Sequence, residues 1–441
     1  METRTKGRTR FAKRGKAERS RGEGSIMKVV VLGAGVVGTA AAWYLSKDGH
    51  DVTVLERHED VARGTSQSNA GLVSPGDSTA WASPAALTTF IKSLFRSDLG
   101  IKVRFSLDPQ FISWCLRFLM QCTQSRAHAN TEVKLRLAFY ARECINALQQ
   151  ETGISYDDRR KGILYFYRSQ QSMDAGAKHM QYIADRGLAI EVVDRERLVA
   201  LEPGLAAVKH QLAGGVYSSM DQTGDSSLFT CSLAEQARVR HGVDFRFNTV
   251  VTGLDVQGNR VGAVLTDKGP VACDAVVLSL GPESSLLARK IGIDVPVYPV
   301  KGYTATLPID ADKGPTMGGV DEDRLIAYSR LGNRLRLAST AEFAGYDRSF
   351  EPADFKTMFR TAHDLLPGAI DETKAVLWSG LRPMMPGSVP VHGRARYENL
   401  FLNTGHGHVG WTMACGSGKL VSDLVSGRRP DIDTAGLLYR N

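Results

Sequence analysis

Between Met27 and Glu56 a short apolar run, a glycine loop, an alanine-rich stretch and a second apolar run follow one another and end on an acid. Few folds accept that order. Lys28-Val-Val-Val-Leu32 is the continuous apolar segment of a strand buried on both faces. Gly33-Ala-Gly-Val-Val-Gly38 places three glycines at set offsets. The first makes a tight turn, the second lets backbone approach a pyrophosphate, and the third lets helix and strand pack closely. Thr39 to Lys47 is rich in helix-forming residues, Asp48-Gly49 stops the helix, and Asp51-Val-Thr-Val-Leu55 alternates like a second strand. The helix N-terminus then turns its positive dipole end toward bound phosphate, beside Gly33, Gly35, Val36, Val37 and Gly38. Glu56, followed by Arg57, ends the second strand, where a carboxylate accepts from a ribose 2′-hydroxyl and repels a 2′-phosphate. The unit predicts a dinucleotide site. NAD and FAD both carry the free hydroxyl, so the loop alone leaves the two open.

The rest of the chain predicts how that unit is completed. From about residue 85 to 205 the pattern is helical, with Leu137, Tyr140, Ala141, Cys144 and Leu148 on one face. Strand-like runs return at Phe245-Arg-Phe, Val261–Leu265 and Ala275–Leu278, and again from Val295 to Leu337 with a hairpin at Gly332-Asn333. A last strand, Leu400-Phe-Leu402, leads into a glycine-rich turn and a closing helix. The predicted fold class is α/β: a Rossmann-like domain of separated segments (27–85, 206–294 and 386–441). An inserted α+β domain (86–205 and 295–385) carries an antiparallel sheet and helices. The glycines interrupt the run from Val29 to Leu45, and no other stretch reaches the roughly 18 apolar residues of a membrane span.

The net charge of +8 is misleading, because residues 1–26 hold nine Lys/Arg against three Glu. That stretch lacks apolar periodicity and reads as an unstructured leader before Met27, not as a secretory signal or a nucleic-acid arm. The six cysteines form no CxxC pair and no metal-ligand spacing, as in a reduced, cytoplasmic setting.

From Thr65-Ser-Gln-Ser-Asn-Ala-Gly-Leu-Val-Ser-Pro-Gly76 onward the chain resembles the flavin-dependent D-amino acid oxidase superfamily, and within it the small-subunit members of the bacterial dehydrogenase branch. Thr223-Gly-Asp225, Val297-Tyr-Pro-Val-Lys-Gly-Tyr303, Gly380-Leu-Arg-Pro-Met384, Leu402-Asn-Thr-Gly-His-Gly407 and Gly410-Trp-Thr-Met-Ala-Cys-Gly-Ser-Gly418 continue the likeness. The resemblance implies FAD. Ser66, Asn69, Ala70 and Gly71 supply a hydroxyl, an amide and permissive backbone for its pyrophosphate and ribityl side. Gly405, Gly407, Gly410, Trp411 and Thr412 would bring a helix start to the flavin pyrimidine edge. By the same likeness Val250 and Val251 lie near adenine and Gly281 borders the cofactor. His406 and His408 have no accompanying carboxylate or cysteine cluster, so no metal is expected.

The implied reaction is oxidation of a D-amino acid to a 2-oxo acid and ammonia. Hydride transfer to flavin needs positioning more than a strong base, and an arginine fork suits the substrate carboxylate. Arg382 is the first candidate for that fork, Tyr303 the second, and Arg330 and Arg336 the weaker ones. The dehydrogenase branch implies a quinone or respiratory acceptor. The amphipathic stretch Ala86–Met120, with Leu87, Phe90, Ile91, Leu94, Phe95, Trp114 and Phe118 among Lys92, Arg96 and Arg117, would suit peripheral contact with the cytoplasmic face of the inner membrane. No nucleic-acid partner is expected. Pro386-Gly-Ser-Val-Pro-Val-His-Gly393 departs from the family by lacking an acid and carrying His392, which keeps oxidation of glycine, sarcosine or a cyclic imino acid such as D-hydroxyproline open as an alternative.

Overall fold

In the computed structural model, which describes residues 26–87, 100–104, 106–310 and 312–440, the first apolar run is β1 (Lys28–Leu32), the alanine-rich stretch α1 (Val36–Lys47) and the alternating run β2 (Asp51–Leu55). The basic stretch up to residue 25, and Phe90, Ile91, Lys92, Leu94, Phe95 and Arg96 of the amphipathic segment, lie outside the described residues.

β1 pairs in parallel with β2 on one side and with Ala275–Leu278 on the other. Leu400–Thr404 and Asp244–Arg246 extend the parallel sheet, and Val391–Arg394 closes one edge antiparallel. A strand buried on both faces has no polar side, and Val29, Val31, Val277, Leu400 and Leu402 are fully buried as that geometry requires. One face is covered by α1, Ser226–His241 and Gly410–Val425. The other packs against a three-stranded antiparallel sheet (Val251–Gln257, Arg260–Thr266, Gly269–Ala272) through Leu254, Val261 and Val264.

The second domain is built on a nine-stranded sheet. It is mixed, not purely antiparallel: Gly318–Asp321 runs parallel to Ile163–Tyr167, and Ile101–Val103 runs parallel to Arg334–Phe343. Side chains alternate across it. Leu164 and Phe166 join a core with Leu198, Leu335 and Phe355, while Ile163, Tyr165 and Tyr167 pack on Met173, Met180 and Ile183.

Two segments cross the boundaries drawn from the sequence. Gly214–Ser218, expected in the dinucleotide domain, is an interior strand of the large sheet. The helix Gln124–Thr152, expected in the inserted domain, sends Cys144, Ile145 and Leu148 into the dinucleotide-domain core. Its far half instead contributes Leu135, Leu137 and Ala138 to neighbouring clusters, so one helix belongs to both bodies. Among the described residues no helix is long and apolar enough to cross a membrane.

Candidate cofactor and substrate site

A cleft of about 1430 Å³ opens between the two sheets, larger than the ~300–1,000 Å³ of a drug-sized pocket. It begins at the glycine loop, where Gly33, Gly35, Val36 and Val37 line it. Gly33 has the left-handed φ of +96°, and its N–H donates to the Leu55 carbonyl at 2.8 Å, which ties the start of the loop to the end of β2. Gly38 does not reach the cleft; it lies against the Gly33 carbonyl, and any side chain there would push α1 off β1. No side chain caps the α1 N-terminus at Gly35, and Val36 N–H donates sideways to Ser66 Oγ at 2.9 Å. Ser66 is thereby tied to the loop it was expected to accompany.

Glu56 lines the cleft with its carboxylate held in place, Oε2 accepting from Ala34 N–H at 2.8 Å and Oε1 from His58 N–H at 3.0 Å. Arg57 lies beside it, donating to Glu283 at 2.9 Å. Val250, Val251 and Gly281 line the same end. Farther along, Asn69 and Ala70 line the wall, while Gly71 sits behind them against Gly224 and Ser329. Gly407, Gly410 and Trp411 also line the cleft and begin a second helix without a side-chain cap. Gly405 and Thr412 stand one layer back: Gly405 faces Met385, and Thr412 Oγ1 accepts from Ser74 N–H at 3.0 Å.

The fit to FAD can be tested on polar groups. Ser279 Oγ, both amide atoms of Asn403 and Trp411 Nε1 are buried and have no hydrogen-bond partner among the described residues, although each of these residues lines the cleft. Buried polar groups are rarely left unpaired. The groups that do line the cleft fit FAD: the glycine loop at the start of α1 and the start of Gly410–Val425 suit negatively charged oxygens, and the Glu56 carboxylate suits a ribose hydroxyl. His406 and His392 share Ser417 Oγ at 2.9 and 3.0 Å, and His408 Nε2 donates to the Asp77 carbonyl at 3.0 Å. No cluster of three metal-ligating side chains occurs among the described residues.

At the other end, Arg382 lines the cleft, with Nη1 donating to the Thr340 carbonyl at 2.9 Å. Burial pushes its guanidinium down to about 10, with Asp77 opposing, so it stays charged at neutral pH. Gly302, on the adjacent strand, makes room: a Cβ there would lie 2.5 Å from Arg382 Cζ. Tyr303, the second candidate, faces away. Strand alternation turns Gly302 and Thr304 to the cleft and sends Tyr303, with Ala305 and Leu307, into the core behind the sheet. There its hydroxyl donates to Glu342 and its ring meets Phe355 edge-on at 5.4 Å. Arg336 Nε donates to Thr306 Oγ1 at 3.0 Å and Arg330 Nη1 to the Pro315 carbonyl at 3.4 Å; neither lines the cleft.

Two acids of the cleft, Asp77 and Glu322, were missed in the sequence, and His408 was weighed there only as a metal ligand. Asp77 ends the one-turn helix Pro75–Asp77, and burial pushes its carboxyl up to about 6 against the pull of Lys134 and Arg382. His408 stacks on Trp81 at 4.8 Å, and burial drives it well below its ordinary value. Glu322 is pushed up to about 8 by burial and by Asp77, Asp321 and Asp323. The Ser74-Pro-Gly-Asp77 turn was a usable signal, since serine caps such a turn by accepting from Asp77 N–H, here at 3.0 Å.

Comparison with known proteins agrees with the geometry. Residues 28–424 match the DAO family of FAD dependent oxidoreductases. The chain is 68% identical over 414 residues to D-amino acid dehydrogenase 2 of Mesorhizobium japonicum, covering 94% of this chain and all of that one. It is 44% identical to a D-amino acid dehydrogenase of Paramagnetospirillum magneticum over 93% of this chain and 98% of the relative. Among solved structures, glycine oxidase from Geobacillus kaustophilus superimposes with a TM-score of 0.73 at 22% identity, over 94% of this chain and 99% of the other. L-Proline dehydrogenase from P. horikoshii gives 0.71 at 17% identity, over 92% and 94%. These two likenesses establish the fold.

Proposed function

The chain belongs to the DAO family of FAD-dependent oxidoreductases, and from that premise we propose that it oxidises D-amino acids to 2-oxo acids and ammonia through an imino acid. The observation that carries this reading is Arg382, a half-buried cation lining the cofactor cleft with an acid, Asp77, within its field. A zwitterionic amino acid presents the complementary pair of charges.

When bound, FAD supplies the acceptor for the hydride leaving the substrate Cα. The chain's own work is to hold and orient. Arg382 offers a planar fork to the carboxylate, and its Thr340 hydrogen bond keeps the fork from swinging. Gly33, Gly35 and the α1 start would hold the pyrophosphate, Glu56 would accept from a ribose hydroxyl, and Asn69 and Ala70 would line the part of the cofactor between its ends. The start of Gly410–Val425 directs its positive dipole end to the cleft, where it favours negative charge.

For the acceptor, a membrane quinone is our reading, reached from the cytoplasmic face. The helix Pro109–Gln121 supports it: Ile112, Leu116 and Leu119 recur at helical spacing and are exposed, with Leu107 and Met120 beside them, while Trp114 and Phe111 on the opposite side are buried. Loss of vesicle binding in Leu116→Glu/Leu119→Glu, with turnover of an artificial acceptor retained, is the expected result. The likeness to small-subunit members adds the proposal that a further subunit joins this chain, which copurification with an untagged partner would reveal.

The deciding experiment is anaerobic bleaching of the bound flavin by a panel of D- and L-amino acids, glycine, sarcosine and D-hydroxyproline. Bleaching by D-alanine and other D-enantiomers is expected. Bleaching by glycine, sarcosine or the imino acid alone would replace the reading, and bleaching by L-enantiomers alone would overturn it.

A further inference from the structure

Oxidation of an amino acid at neutral pH meets an obstacle that a carboxylate fork does not remove. The substrate arrives as an ammonium ion, and Cα cannot lose hydride until nitrogen has a free lone pair. We propose that Asp77 receives the substrate ammonium opposite Arg382 and takes the proton that must leave nitrogen before Cα is oxidised. The inference rests on the amino acid oxidation proposed above.

The geometry suits the task. Asp77 is fixed by a short helix that has little freedom to move: Ser74 Oγ caps it, Gly76 N–H donates to Asp221 Oδ1 at 3.2 Å, and Ser74 and Tyr165 both hydrogen-bond the buried Asp221. His408 holds the Asp77 carbonyl from the other side. The carboxylate itself is left uncommitted. Close to half of its side-chain surface opens on the cleft, and the nearest basic group, His408 Nε2, stands 3.9 Å from Oδ2. That ring is neutral, and its Nδ1 is buried without a partner at the same wall.

Among the described residues, the charged groups around Asp77 come from several elements. Lys134 comes from Gln124–Thr152, fully buried and donating to the Thr79 carbonyl; Arg382 comes from Val376–Met384. Asp221 lies beneath the turn with Tyr165, and Glu322 follows the strand Gly318–Asp321. Burial and Asp221 strengthen the hold of Asp77 on a proton, while Lys134 and Arg382 keep it ionised until an ammonium arrives.

In the step itself one N–H bond breaks and one Oδ–H bond forms. The freed nitrogen lone pair becomes the second bond of C=N as the Cα–H electron pair departs to the flavin of the proposed reaction, leaving the imino acid. The proton then passes from Asp77 to water when product leaves.

The test is Asp77→Asn on the flavin-loaded enzyme, with flavin content checked first. In the wild type, kcat/KM for D-alanine should fall on the acid side with a limb near 6. In the variant it should drop roughly 100-fold at neutral pH and recover as rising pH supplies free amine from solution. Calorimetric Kd for propanoate, a carboxylate without an amine, should not weaken, since the variant loses a negative charge near Arg382, and Asp77→Glu should restore the acid limb. A variant with the wild-type pH profile overturns the proposal, as does an equal loss at all pH values with propanoate binding weakened alongside. If Asp77→Asn loses flavin, the position of the limb in Asp77→Glu decides, and an unmoved limb counts against Asp77. Failure of every amino acid to bleach the wild type would sink the proposed activity. Selective binding of D-alanine over propanoate, lost in Asp77→Asn, would then still establish ammonium capture.

Discussion

Lys301-Gly-Tyr303 separates two kinds of residue that look alike in a sequence. The phenol drew attention as a substrate contact, yet the glycine serves the site by giving Arg382 its space. Period-two alternation decides which neighbour faces the cleft, and its phase is set by pairing with Val376–Met384, a partner too distant in the chain to be read locally. Two substitutions separate the roles. Arg382→Ala should retain flavin and raise KM for D-alanine by roughly 30-fold or more, from the roughly 2–4 kcal/mol of a charge-assisted fork; an unchanged KM would give the carboxylate to another group. Tyr303→Phe should leave kcat/KM within about 2-fold while lowering stability by roughly 1–2 kcal/mol in denaturant melts, because Glu342 loses one partner and keeps Arg104 at 2.6 Å and Lys301 at 3.4 Å. A large fall in turnover without loss of stability would return Tyr303 to the site.

At the scale of elements, the dinucleotide unit was legible because its signals are local: strand, turn, helix and strand lie within one continuous stretch. The strand Gly214–Ser218 was not, since its two glycines give a weak pattern and its place comes from pairing with Ile163–Tyr167. The helix Gln124–Thr152 showed its buried face plainly, though a face does not say which body it packs on. What holds the cofactor side together is the crossing of α1 with Gly410–Val425. A Cβ at Gly418 would lie 2.7 Å from the Ala40 backbone, so the helices touch main chain to main chain there. Gly418→Ala should force them apart, costing roughly 1–3 kcal/mol. Because α1 begins at the phosphate loop and Gly410–Val425 begins at the cleft, flavin fluorescence should be released at lower temperature in the same variant. Melting that moves while flavin release does not would mean that the crossing supports the core alone.

Across the whole molecule, buried groups of opposite character set how stability follows pH. His392, His406 and His408 are held neutral, His392 down to about 4, by burial. Their folded values lie below the unfolded one, so the stability they lend is present above about 6.5 and is lost as pH falls through the folded values. Glu322 runs the other way. Its value is raised from 4.5 to about 8, so its contribution is complete below 4.5 and disappears as pH rises through 8, where an ionised carboxylate must sit among Asp77, Asp321 and Asp323. Glu322→Gln removes that titration without changing the shape of the side chain much. Relative to the wild type, the variant should therefore gain Tm steadily from about pH 4.5 to 8 and no further beyond it. Thermal melts of both proteins across that range check the sign. A Tm difference that is flat with pH, or that shrinks as pH rises, would mean that Glu322 is ionised in the folded protein throughout, and that the acids of the cleft do not act on one another across the space where the substrate binds.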